Sequence, residues 1–355
     1  MMLKKKKTIL ALSIIPQYII VKLLSNYPDF IETYYSNGLY QFTSKAMRFA
    51  FGWIPFSVGD LFYTIAIIYL IRWLIINRKR IAKETKFWFI DVFSVVALVY
   101  FVFHLFWGMN YYRLPIHKTL ELENTYKTEQ LITVTKKLIN KSNAIHLNIT
   151  KNVTIKVEMP FNKNELLNKT ANGYDALAKK YPQLEYKPNS IKLSLYSLPL
   201  TYMGFSGYFN PFTNEAQVDG LIPLYKYPTT ACHEKAHQIG YAAENETNFI
   251  GCLAAIHNEN IYYKYSGYIF ALRHCLNEIH KRDIKTYDNL IDDINKGILK
   301  NYQESYDFWN SYQNPLEPIF KSTFNSFLKA NNQEKGIESY NYAVALFVNY
   351  FKNDL

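Results

Sequence analysis

Pro228-Thr229-Thr230-Ala231-Cys232-His233-Glu234-Lys235-Ala236-His237-Gln238-Ile239-Gly240 is the stretch on which the reading of this chain turns. Proline fits the first turn of a helix, where its missing N–H would be unpaired anyway, and glycine fits the position just past a helix end. Pro228 and Gly240 therefore bracket a short helix. At about 100° per residue, His233 and His237 differ by about 40° in direction, so both imidazoles reach one point. Neutral imidazole is a good zinc ligand, and zinc brings the pKa of its water toward 7. Glu234, offset by one position, points beside such an ion. It can take a proton from that water and later pass it to a leaving amine. The expected cofactor is Zn2+, with His233 and His237 as ligands and Glu234 as the catalytic base of a peptide-hydrolysing site.

Catalytic zinc takes three protein ligands and keeps one position open. Just downstream, Glu244 or Asn245 can cap a second helix that continues to about His257. Glu246 shares a face with Ile250, Leu253 and His257, at spacings i, i+4, i+7 and i+11, which makes Glu246 the expected third ligand. Glu244, expected to be more exposed, is the alternative. Just upstream, Glu215-Ala216-Gln217-Val218 reads as an edge strand to which an extended substrate could pair by main-chain hydrogen bonds. An oxyanion needs a donor, and Tyr340 and His257 are the candidates. Cys232 faces away from the histidines and reads as core.

Further out, composition narrows the class. Of 355 residues, 49% are hydrophobic and 19% charged, which excludes a disordered chain. Cys232, Cys252 and Cys275 are an odd set, spaced 20 and 23 apart, matching neither a disulfide framework nor a zinc ribbon. They read as buried thiols. The net charge of +11 is unevenly placed: residues 1–113 hold 14 Lys and Arg against five acids, a net of +9. A nucleic-acid groove would need that charge on the folded domain, so no nucleic-acid partner is expected.

The charge instead flanks apolar runs. Spans are expected at about 8–24, 56–76 and 87–107. Lys4 to Lys7 precede the first, and Ser25-Asn26-Tyr27-Pro28 offers no cleavage site, so this run reads as a retained span rather than a signal peptide. Arg78-Lys79-Arg80 lies between the second and third spans. The positive-inside rule then puts the N-terminus in the cytoplasm and residues 114–355 outside, as a multi-pass protein of the cytoplasmic (inner) membrane. Trp107, Tyr111 and Tyr112 read as an interfacial aromatic belt. Asp60, Arg72, Asp91 and His104, in or near the spans, read as paired or snorkelling groups.

The expected fold class is α+β. Three N-terminal transmembrane helices in 1–113 precede a domain over 114–355 with a small antiparallel or mixed sheet and a largely helical C-terminal half. Helices are expected over Thr128–Asn140 and Asn164–Lys180. Alternating strands are expected at Val153–Val157 and Ile191–Leu195, with short ones in 204–210 and 215–219.

The run His233 to Phe249, with Gly240 and then Glu246-Thr247-Asn248-Phe249, resembles the gluzincin class of zinc peptidases, in which a Glu on the following helix completes the ligand set. Over nearly the whole chain, Pro55-Phe56-Ser57-Val58-Gly59-Asp60, Trp107-Gly108-Met109-Asn110-Tyr111-Tyr112-Arg113, Gly207-Tyr208-Phe209-Asn210-Pro211-Phe212, Asn214-Glu215-Ala216 and Gly336-Ile337-Glu338-Ser339-Tyr340 resemble an uncharacterised bacterial membrane family. That family has three N-terminal spans and a zincin-like domain. The resemblance implies a membrane-anchored zinc metallopeptidase acting on a peptide or protein, with the lipid bilayer as its other partner. An inactive zinc-binding receptor or scaffold of the same fold is the alternative. A cytoplasmic site, as in integral-membrane zinc peptidases that handle misfolded membrane proteins, would require the opposite orientation.

Overall fold

The computed structural model describes residues 2–336 and 342–354. Its three longest apolar helices, Lys5–Leu24, Val58–Asn77 and Thr85–Phe106, are long and apolar enough to cross a membrane. They are called spans 1 to 3 below. Only 6 to 17% of each window is buried within the chain, so the apolar side chains face outward, as they do on lipid-exposed helices. Span 1 packs along span 3, where Asp91 pairs with Lys7 at 2.7 Å and with Arg80 at 3.0 Å. The segment between spans 1 and 2 is helical as well, a π-helical stretch Ile31–Leu39 running into the helix Tyr40–Gly52.

The remaining chain is mostly helical around one three-stranded mixed sheet. Strands β1 (Ile191–Leu193), β2 (Gly207–Asn210) and β3 (Glu215–Val218) lie in the order β1-β3-β2, with β1 parallel and β2 antiparallel to β3. This corrects the expectation of an edge strand at Glu215, Ala216, Gln217 and Val218. β3 is the central strand, its backbone taken up on both sides and all four residues buried. Alternation cannot rank short strands by position; here the parallel return of β1 takes the far side of β3 and leaves β2 at the edge. Among the described residues no strand pairs with the outer side of β2.

Val153–Val157 is not a strand either. Its backbone groups are satisfied by helices: Gly297 N–H donates to Val153 O (2.9 Å), the His146 imidazole meets Ile155 O (2.8 Å), and the Asn301 amide takes both the N–H and the carbonyl of Val157. Asn301 thus stands in for a neighbouring strand. Elsewhere the helices lie where expected. The helix beginning at Thr128 runs on to Thr150, beyond the anticipated Asn140, and Lys163–Lys180 follows it. The motif helix is Tyr227–Gln238 and the next is Glu244–His257. These two, with Ile261–Arg282 and Ala343–Asp354, enclose the main core around Ala236, Phe249, Leu272 and Phe347. All three cysteines are free and buried there, as expected.

The N-terminus of span 2 is fastened to the sheet. Glu215 on β3 accepts from the backbone N–H groups of Val58 (3.1 Å) and Gly59 (2.5 Å) and from the Thr213 hydroxyl (2.9 Å), and it is paired with Lys192. A carboxylate at a helix N-terminus satisfies orphan donors and complements the helix dipole. Next to it Ser57 caps Asp60 N–H at 2.9 Å. Asp60 in turn accepts from Leu195 N–H (2.7 Å), the Ser194 hydroxyl (3.0 Å) and the Tyr208 hydroxyl. Asp60 is thus a docking group, and the runs Pro55–Asp60 and Asn214–Ala216 are the two halves of one joint.

Candidate metal centre

The motif helix begins with Pro228 in its first turn and ends at Gln238, followed by Gly240 at φ +99°. Its C-terminal carbonyls, which no helical partner can satisfy, are met by side chains from the N-terminal part of the chain. Tyr40 and Ser44 donate to Gln238 O (3.0 and 2.8 Å), Gln41 donates to Ile239 O (3.0 Å), and Arg113 donates to Gly240 O (2.8 Å). A Cβ at position 240 would lie 2.9 Å from the Tyr40 ring, so glycine is needed there for space as well as for its backbone. Arg113 is itself held by Glu32 (2.6 Å) and lies over the Tyr241 ring at 4.0 Å.

His233 and His237 lie on one face, and His233, Glu234 and His237 offer ligand atoms within 4.8 Å of one another. The carboxylate that meets the histidines from the second helix belongs to Glu244. Its Oε2 is 3.3 Å from His233 Nε2 and 3.7 Å from His237 Nε2. Glu246, the expected ligand, points elsewhere and accepts the Ile116 N–H at 2.7 Å. Two residues turn the direction by about 200°, so the two carboxylates cannot share a target. The face argument for Glu246 assumed an amphipathic helix, whereas every residue from Glu246 to Ile256 is buried. The face toward the motif helix is Glu244, Asn248 and Gly251, and a Cβ on Gly251 would lie 2.7 Å from His233 N. That glycine, seven residues after Glu244, is the sequence signal for the correct face.

The other ring nitrogens are fixed from behind. His237 Nδ1 meets the Tyr241 carbonyl at 2.8 Å, and His233 Nδ1 meets Asn248 Oδ1 at 3.0 Å. A carbonyl only accepts, so His237 Nδ1 carries a proton. In the neutral ring this leaves the Nε2 lone pair facing the Glu244 carboxylate, an arrangement of acceptors that a proton or a metal cation between them reconciles. The donor set, two imidazoles and a carboxylate, is one suited to zinc. Burial would raise the Glu244 carboxyl, but the two histidines beside it, His237 first, outweigh that and hold it well below the usual carboxylate range. Glu234 is different: burial pushes it up to about 7, opposed by the two histidines and reinforced by Glu244. Its Oε2 is buried without a hydrogen-bond donor.

A cleft of about 260 Å3 opens over these groups. One wall is β2, where a Cβ on Gly207 would come within 2.8 Å of Glu234 Oε1. The opposite wall is the C-terminal end of span 3. Trp107 is buried there rather than lying in an exposed belt, with its ring 4.4 Å from Phe209 and 5.9 Å from His237. Tyr111 and Tyr208 also line the cleft. The Tyr208 hydroxyl is committed to Asp60, whereas burial raises the Tyr111 hydroxyl well above its ordinary value, so it keeps its proton and can donate it. Of the two expected oxyanion donors, His257 lies at the far end of its helix, about 20 Å along the axis from Glu244, and its Nδ1 meets Leu253 O. Tyr340 lies outside the described residues.

A family model described as "Protein of unknown function (DUF3810)" matches residues 35–348. The chain belongs to the DUF3810 family. No curated protein and no solved structure matches it. The DUF3810 match takes in the histidine motif, Glu244, the β2 edge and the carbonyl-capping residues Tyr40 and Arg113. Missed in the sequence were Asn248, Trp107, Tyr111 and the edge role of β2. Asn248 had a signal, being one helical turn beyond Glu244. The other three are brought to the centre only by tertiary packing.

Proposed function

We propose that this chain is a membrane-anchored zinc peptidase, with the metal held by His233, His237 and Glu244 and the site on the outer side of the bacterial cytoplasmic membrane. The observation that carries the reading is the convergence of Glu244 Oε2 on both Nε2 atoms, with Glu234 buried beside them and unpartnered at Oε2. Bound there, zinc supplies Lewis acidity, polarising a carbonyl and lowering the pKa of water. The chain's own groups do the rest. The unpaired edge of β2 receives an extended substrate by main-chain hydrogen bonds, beside Glu234. Glu234, poised near neutrality, takes a proton from the attacking water and delivers it to the leaving amine. Tyr111 donates a hydrogen bond to the developing oxyanion.

The ligand set is tested by metal analysis of purified protein. Glu244→Ala is expected to abolish stoichiometric zinc, and Glu246→Ala to keep it; the reverse result would restore Glu246. The orientation rests on the net charge of +9 over residues 1–113. Alkaline phosphatase fused at the C-terminus is expected to be active, and an inactive fusion with a fluorescent cytosolic reporter would place the site inside.

A further inference from the structure

A second and larger cavity, about 740 Å3, lies between the outer halves of spans 1 and 3, with Tyr63 of span 2 on its border. It shares Phe103, Phe209, Pro211 and Phe327 with the cleft over the histidines, so the two spaces adjoin on either side of the same side chains. Phe212 packs on Phe62 and Tyr63, joining the end of the β2 segment to span 2. On span 3 the wall is built from Val95, Val96 and Val99, all exposed and at the depth of the apolar helices.

From this adjacency we infer that the substrate is a lipid-anchored peptide, with its acyl chain in the intramembrane cavity and its peptide part in the cleft. The inference rests on the peptidase reading and names its substrate class. The wall selects the occupant. Backbone N–H groups within the spans are used by their own helices, and Pro211 has none to give. An extended polypeptide there would carry unpaired polar groups into an apolar setting, which is costly. A hydrocarbon chain brings no such groups. A bilayer phospholipid could place a chain in the cavity too, but its headgroup gains nothing from the adjoining cleft. An acylated peptide fills both spaces at once, and the free β2 edge takes the part next to the anchor.

The test uses the full chain in phosphatidylcholine nanodiscs and a palmitoylated peptide library carrying a photoreactive group at the end of the acyl chain. Labelling is expected on span 3 between Val95 and His104, competed by palmitoylated peptides but not by the same peptides without the chain. Val99→Trp, which fills the cavity, is expected to favour octanoyl over palmitoyl peptides by about tenfold, with zinc content unchanged. The proposal is overturned by label spread evenly over the lipid faces of all spans, or by labelling in the phosphatidylcholine bilayer that palmitoylated peptides do not compete. Equal competition from an unacylated apolar segment overturns it too, and points to a transmembrane polypeptide. Labelling needs no turnover: specific labelling without hydrolysis would sink the peptidase reading alone, and hydrolysis indifferent to the acyl chain would sink this one alone.

Discussion

Replacing Glu234 by glutamine is expected to lower peptide hydrolysis by about 10²–10⁴-fold while zinc stays bound. The magnitude follows from removing a positioned base whose protonation balance lies near the operating pH, where proton transfer in both directions is efficient. Burial is what brings Glu234 to about 7, with Glu244 adding to it against the two histidines. Glutamine keeps the size and the acceptor beside Gly207 but cannot take a proton. Parallel measurement of turnover and metal content separates the roles. Unaltered hydrolysis would remove Glu234 from the mechanism, and loss of zinc would make it a ligand.

Glu215→Ala is expected to destabilise the protein by about 3–5 kcal/mol, the cost of leaving one member of a buried ion pair alone. Among the described residues, Lys192 would remain inside with the Phe51 carbonyl, 2.8 Å away, to answer its charge. The N–H groups of Val58 and Gly59 would also lose their acceptor. Thermal unfolding in detergent, followed through protease sensitivity of the sheet, reads the loss. Glu215→Gln should be milder, since an amide oxygen can still accept from span 2. A change below about 1 kcal/mol for the alanine variant would mean that the joint between span 2 and the sheet contributes little.

The sequence was most legible where periodicity and charge act locally. The three apolar helices begin and end within a few residues of the stretches marked by hydropathy. The motif helix is bracketed by its proline and glycine as expected. Legibility failed where position is decided by neighbours distant in the chain. Glu215–Val218 alternates as any half-buried strand does, and only the pairing of β1 and β2 on its two sides makes it central. Val153–Val157 has the same pattern, but Asn301 and His146 satisfy it with side chains. Glu244 and Glu246 were both visible, but choosing between them required knowing which face of a wholly buried helix meets the histidines. Gly251 carries that information, because only a residue without a side chain lets the helices approach so closely.

The capping of the motif helix bears on how such a chain can evolve. Tyr40, Gln41, Ser44 and Arg113 all precede residue 114, and together they complete the hydrogen bonding of residues 238–240. Recombination at residue 114 that moved residues 114–355 onto a foreign N-terminal segment would strip these carbonyls of their donors. Exchange of modules at that boundary is therefore expected to cost stability. The N-terminal helices and the histidine-bearing half are expected to be inherited together, since the donors to residues 238–240 lie on the other side of that boundary.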